Sequence, residues 1–218
     1  LFINVVDNFY KDPHLAREQA IKTFMENRPC REITPWDRVF CESGYHIKDS
    51  EINKYDWKEI FGCEVTSAFK NRHFNLTIKN PYNTNYIHYD DYDFIGLIYL
   101  NIPSQLGPED GTKLLKHRTL GHHYMNDEIV DEWVKAYSQM EVISDIGSQL
   151  KAERLLSKNN KLDHSQWDIT AFIPSLWNRA LFFEPRYLHS ESYRFGDDLF
   201  SGRIVEVVFF NKLNRGSV

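Results

Sequence analysis

Cysteine is scarce in this chain of 218 residues: there are 3, and Cys30, Cys41 and Cys63 form no CxxC pair. An odd number without metal-type spacing argues against a disulfide framework and a structural zinc site, and fits reduced thiols. No apolar run approaches the roughly eighteen residues that cross a bilayer, so no membrane helix is expected. The opening Leu1-Phe2-Ile3-Asn4 carries no basic region and no small-residue cleavage pattern. A cytoplasmic location is therefore expected. Surplus positive charge is also missing. Lys and Arg number 26 against 31 Asp and Glu, giving a net charge of −5, which disfavours binding along a nucleic-acid backbone. Repeats and low-complexity tracts are absent.

What is present is an ordinary globular composition, 42% hydrophobic and 26% charged with 15% aromatic residues. The length suits one domain over 1–218. Val5 to Pro13 reads as a short strand and turn. A helix is expected from about His14 to Glu26, with Leu15, Ala16, Gln19, Ala20, Thr23 and Phe24 along one stripe. From Glu64 the texture becomes that of strands: Val65–Phe69, Phe74–Ile78, Tyr86–Tyr89, Phe94–Ile102 and Thr112–His117. A helical insertion is expected over about 125–157, capped by Asn126, with Ile129, Val130, Trp133, Val134, Tyr137 and Met140 at helical spacing. Strands return at Ile169–Ile173, Arg179–Glu184, Tyr187–Ser190 and Arg203–Phe210. Short strands on both sides of one helical insertion predict a mainly β fold with flanking helices, a jelly-roll or cupin-like barrel. The insertion would serve as a lid over a substrate, as packing, or as a contact between two copies in a homodimer.

The most informative stretch is Asn85-Tyr86-Ile87-His88-Tyr89-Asp90-Asp91. On a strand, residues i and i+2 share a face, so His88 and Asp90 can grip one ion while Asp91 faces away. An HxD alone says little in a chain with nine His, and His189-Ser190-Glu191 supplies a competing HxE. Context adds weight. Phe94 to Leu100 is apolar on both faces and therefore buried, the turn Glu109-Asp110-Gly111-Thr112 follows, and Leu181-Phe182-Phe183-Glu184-Pro185 leads to Leu188-His189-Ser190. Fourteen residues beyond His189, Arg203 opens the β-patterned run Ile204 to Phe210.

This order resembles the iron(II)- and 2-oxoglutarate-dependent oxygenases, in particular their prolyl-4-hydroxylase-like branch. The shared pattern is an HxD, about a hundred residues, a distal His, and then an Arg or Lys. The "LIYLN" strand, the "DGT-L" turn, the "ALFFEP…LHS" strand and the opening "VVDNFYKDP" resemble accessory pieces of that family, over about residues 2–12 and 65–212. The resemblance implies a double-stranded β-helix that uses Fe(II), 2-oxoglutarate and O2 to hydroxylate a small-molecule or peptidyl substrate, releasing succinate and CO2. It implies His88, Asp90 and His189 as metal ligands and catalytic centre. Two imidazoles and a carboxylate on one side of Fe(II) leave positions for a keto acid and O2. Arg203 would bind the distal carboxylate of 2-oxoglutarate through its planar fork. Arg194 is its rival, and Tyr99 and Thr112 are candidates for touching the cosubstrate. A carboxylate at Asp90, where the family's halogenases resemble this pattern but carry a small residue, favours hydroxylation over halogenation.

Two other readings stay open: a cupin-like metal enzyme without 2-oxoglutarate, which would more naturally show HxH and four ligands, and a noncatalytic jelly-roll module. In the latter the three ligand side chains would not converge. Lys113, Lys116, His117, Arg118, His122 and His123 form a locally basic stretch, read as a solvated edge or an anion-attracting patch. The acidic run Asp90 to Asp93 lacks the Gly and bidentate Glu of a calcium loop.

Overall fold

The computed structural model describes residues 1–26, 38–42, 55–66, 72–79, 87–131, 167–192 and 194–213. Nine strands are described: β1 (Ile3–Val6), β2 (Arg38–Glu42), β3 (Arg72–Thr77), β4 (Phe94–Tyr99), β5 (Gly111–His117), β6 (Trp167–Pro174), β7 (Ala180–Phe183), β8 (His189–Glu191) and β9 (Arg203–Phe210). Helix α1 is Pro13–Glu26 and α2 is Trp57–Phe61. The strands form a six-stranded sheet, ordered β1-β7-β4-β9-β3-β2, and a three-stranded sheet, ordered β6-β5-β8. All the pairings are antiparallel. The architecture is mainly β, with the two antiparallel sheets packed against each other.

Period-two alternation explains the layers. On β9, Arg203, Val205, Val207 and Phe209 face the space between the sheets, while Ile204, Val208 and Phe210 join the core under the helices. Strand β4 is buried at every position. Its Phe94 and Ile98 meet the helix-side core, and Ile95, Leu97 and Tyr99 meet Leu114, Ile173, Leu181 and Phe183 between the sheets. A third cluster, Ile87, Tyr89, Leu115, Met125, Trp167 and Leu188, is covered by Ile129 and Val130. Each of these large apolar side chains contributes about 1.5–3 kcal/mol by leaving water.

Local signals place the helices. Pro13 opens α1, and the Asp12 carboxylate accepts the Leu15 N–H at 3.1 Å. The expected inward stripe is rotated slightly: Leu15 is exposed and Arg17 is buried instead. The reason is that Arg17 donates to the carbonyls of Leu100 and Phe200, at 2.8 and 2.6 Å, and so ties α1 to the sheet. Asp56 caps α2, and Gly62 closes it at a φ of 70°. Asn126 caps the start of the insertion as expected, its side chain accepting from Ile129 N–H at 2.8 Å, and residues 127–131 are helical. The rest of the expected insertion, Trp133 and Tyr137 included, lies outside the described residues.

The expected strand Tyr86–Tyr89 is reduced to one bridge, His88 with His189, within the part that is described. The strand from Val65 likewise survives as one bridge, Val65 with Lys212, before the undescribed residues 67–71. In the loop joining β8 to β9, Gly196 has a φ of 71°, and a Cβ there would stand 2.1 Å from the Ser201 carbonyl oxygen. Gly196→Ala is expected to lose at least about 1–3 kcal/mol, the cost of a strained backbone residue. Urea unfolding measures this, and wild-type stability would mean that the loop rearranges freely.

Candidate metal centre and its cavity

His88 and His189 sit face to face because their backbones bond reciprocally, His88 N–H to His189 O at 3.0 Å and His189 N–H to His88 O at 2.9 Å. Their ring centroids are 4.3 Å apart. Asp90 is fixed two residues on, its N–H donating to Pro185 O at 3.0 Å. The Asp90 Oδ2 lies 3.8 Å from His88 Nε2 and 3.4 Å from His189 Nε2. One ligand atom from each of the three side chains lies within 4.8 Å of the others, and no other such group occurs among the described residues.

Adjacent ligands about 2.1 Å from an ion stand about 3 Å apart, so Asp90 needs to close on each histidine by less than about 1 Å. The donor set, two neutral imidazoles and a carboxylate, is chemically that of a non-haem Fe(II) site. His189 is prepared for the role. Its Nδ1 meets the Tyr187 carbonyl at 2.8 Å, which fixes the proton there and leaves the Nε2 lone pair facing Asp90. The Phe183 ring packs edge-on against it at 5.0 Å.

Neighbouring acidic residues have separate tasks. Asp91 pairs with Arg186, as does Asp127 at 2.8 Å, and Asp93 accepts the Lys212 N–H at 2.8 Å. Arg186 thus straps the loop carrying Asp90 to the start of the insertion. Arg186→Met is expected to weaken metal affinity by about 10-fold, as outer partners of ligands do. Stability should change by less than about 1 kcal/mol, since both carboxylates are solvent-exposed. A Mn(II) titration with a paired urea melt checks both, and unaltered affinity would remove Arg186 from the site.

The three groups open onto a cavity of about 240 Å3 between the sheets, lined also by His73, Asn75, Ile95, Leu97, Thr112, Glu191 and Arg203. Along β9, Arg203 marks one end of this lining and Phe209 the other. Arg203 is buried, its guanidinium 5.9 Å from the Tyr99 ring centroid, and its Nε has no hydrogen-bond partner. The Arg203 side chain lines the cavity wall, which places a buried cation beside any anionic ligand there.

Thr112 lines the cavity, and its hydroxyl bonds that of Tyr99 at 2.8 Å. Tyr99 reaches the ligand space through that bond, and burial holds its hydroxyl above the usual tyrosine range. Arg194, the rival cation, is fully buried and ion-paired with Glu191 at 2.5 Å. Glu191 is not a metal ligand: its other oxygen lies 3.5 Å from Arg203 Nη1. Sequence reasoning gave Glu191 a place only in a competing metal pair. The i, i+2 spacing from His189 did signal that both would face the cavity.

The basic stretch is no sheet edge, since Lys113, Lys116 and His117 lie on β5, the central strand of its sheet, and Arg118, His122 and His123 follow it. Arg118 pairs with Asp168 at 2.6 Å, and His117 packs on Trp167, burial lowering its pKa with help from His122. Cys63 is a half-buried free thiol. No helix among the described residues is long and apolar enough to cross a membrane.

No protein-family model matches the chain, and no curated protein matches it. Among solved structures, the crystal structure of IDO from Bacillus thuringiensis is 13% identical, with 96% of this chain and 92% of that chain covered at a TM-score of 0.40. The non-heme iron oxygenase OrfP in complex with Fe is 13% identical over 94% of this chain and 86% of that one, also at 0.40. A further OrfP structure is 14% identical over 63% and 55%, at 0.32. Likenesses this distant leave the chemistry to be read from the side chains.

Proposed function

We propose that this protein is an Fe(II)- and 2-oxoglutarate-dependent dioxygenase of double-stranded β-helix fold, hydroxylating an amino acid, a peptidyl residue or another small molecule. The observation that carries the reading is the convergence of His88, Asp90 and His189 on the wall of a cavity that also exposes the buried Arg203. The fold assignment draws on the way the chain alternates between sheets: β3, β4, β7 and β9 in one, the His88 bridge, β5, β6 and β8 in the other.

Bound iron would supply the activation of O2 that decarboxylates 2-oxoglutarate to succinate and oxidises a C–H bond of the substrate. His88, Asp90 and His189 would hold it, with the Tyr187 carbonyl keeping the His189 tautomer and the Arg186 strap keeping the Asp90 loop. Arg203 would take the distal carboxylate through two nitrogens of its guanidinium fork. Thr112, braced by Tyr99, would offer a hydroxyl beside that carboxylate. Ile95, Leu97, Val205 and Val207 keep the intervening wall apolar and limit water at the reacting end.

The test is an anaerobic titration of the metal-free protein with Fe(II) and then 2-oxoglutarate, watching for a weak visible charge-transfer band. A band that is lost in His88→Ala supports the reading and makes a search by succinate release worthwhile. Metal binding without a band would favour the cupin-like enzyme that uses no keto acid, and binding of neither would leave a noncatalytic module. Arg203→Ala is expected to raise the 2-oxoglutarate requirement by about 30-fold or more, the scale for truncating a buried charged partner. An unchanged requirement would strip Arg203 of its role.

A further inference from the structure

We infer that the Phe209 end of the cavity is the substrate subsite, and that it takes a flat, uncharged ring against the Phe209 side chain. This rests on reading His88, Asp90 and His189 as the centre of oxidation, and adds to it the class of substrate brought there. Two contacts put Phe209 at the metal group. Tyr92, two residues beyond Asp90, stacks on the Phe209 ring with centroids 4.2 Å apart and planes 22° from parallel. On β4, Ile95 lies between Phe209 of β9 and Phe183 of β7 in the sheet register, and Phe183 packs edge-on against His189 at 5.0 Å.

Burial falls toward the same end, so the cavity opens there. Along the cavity face of β9, Arg203, Val205 and Val207 are buried, whereas Phe209 is partly exposed, unlike any other residue of the strand. On neighbouring β3, Thr77 is buried, and Asn75 and His73 are partly exposed. In the metal group, His189 is buried but His88 and Asp90 are partly exposed. A molecule entering past His73 and Phe209 therefore meets the metal group before it meets Arg203.

The ring is placed by alternation. Phe210 is buried in the helix-side core, so Phe209 turns to the cavity. Tyr92 and His73, the latter with its ring 5.8 Å away and tilted by 34°, hold Phe209 in position. A fixed aromatic ring on a cavity wall offers offset-stacked and edge-to-face contacts that an aliphatic group cannot match. Ile95, Leu97 and Val207 make the adjoining wall apolar. A cationic group is poorly served. Among the described residues of the lining, the carboxylates are Asp90, within the metal group, and Glu191, held by Arg194 toward the far end.

The experiment uses three probes: benzamide; cyclohexanecarboxamide, which keeps the carbon skeleton but loses the flat ring; and benzylammonium, which keeps the ring and adds a charge. Saturation-transfer NMR on the metal-free protein gives the affinities of the two amides. On the Mn(II)-loaded protein, relaxation of the probe's ring protons shows whether it sits beside the ion, and benzylammonium is compared with benzamide. The wild type is expected to bind benzamide about three- to tenfold more tightly than cyclohexanecarboxamide, the scale of an aromatic pair. Benzylammonium should bind more weakly than benzamide. Phe209→Leu, shown to be folded by circular dichroism, should bring the ratio of the two amides close to one, and Phe209→Tyr should keep it.

Equal wild-type affinity for the two amides, a ratio unmoved in folded Phe209→Leu, or tighter binding of benzylammonium overturns the inference. So does bound benzamide whose relaxation is unaltered by bound Mn(II), since the ring then sits elsewhere. Failure of Mn(II) to bind removes the metal reading alone; the ratio of the amides on the metal-free protein still decides whether Phe209 forms a ring subsite.

Discussion

In His88→Ala, affinity for Fe(II), or for Mn(II) in its place, is expected to fall on the order of 100-fold or more. Even outer partners of a ligand cost 10- to 100-fold, so a ligand itself sets at least that scale. The metal-free fold should be unaltered, since the structural bond at this position is between main chains, His88 N–H to His189 O and the reverse. Asp90→Ala should behave alike, for it removes the one negative charge of the group. Electron paramagnetic resonance of added Mn(II) gives the affinity, and circular dichroism with a thermal melt gives the fold. Wild-type affinity in both variants would mean that the three groups do not act together on an ion.

The largest loss of stability is expected in the other sheet, on the helix-side face of β3 and β9. Glu206, fully buried among the helix-side apolar residues, accepts from Arg72 Nε at 2.7 Å and from the Tyr10 hydroxyl. Burial pushes the Tyr10 hydroxyl well above its usual range, with the Glu206 charge adding to the effect. Burial also opposes the charge on Arg72, but Glu206 and Tyr10 more than restore it. Arg72→Met should therefore cost about 3–5 kcal/mol, because it leaves a carboxylate buried without its cation. Arg72→Met combined with Glu206→Leu should recover most of that loss, since no charge then remains to desolvate. Urea unfolding of both distinguishes charge burial from lost packing; a double variant as unstable as the single one would favour packing. Metal affinity should be unchanged in the double variant, as neither side chain lines the cavity.

The nearness of His88 and Asp90 was legible from period two within His88-Tyr89-Asp90, whereas His189, about a hundred residues on, entered only through the family resemblance; the structure brings the three together. Arg203 was placed at the start of β9 by the same alternation. Glu191 was read as a rival ligand because its fate depends on a partner strand. Its register opposite Thr112, and the nearness of Arg203, are set by pairing between distant segments. The Tyr10, Arg72 and Glu206 cluster was invisible for a similar reason, since a Glu within an apolar strand looks the same whether its face meets solvent or a buried arginine. The exposure of Leu15 was missed because the docking of Arg17 onto two carbonyls, not apolar content alone, sets the rotation of α1.

The paired main-chain bonds between His88 and His189 join positions about a hundred residues apart. They make the three-residue group a product of folding, with no counterpart in the unfolded chain, so an ion bound there would stabilise the folded state by mass action. They also shield the site from changes in the length of what lies between. Doubling a flexible connection adds only about 0.6 kcal/mol of closure entropy. The number of residues between the two histidines can therefore change during divergence at little cost to the pairing that brings them together.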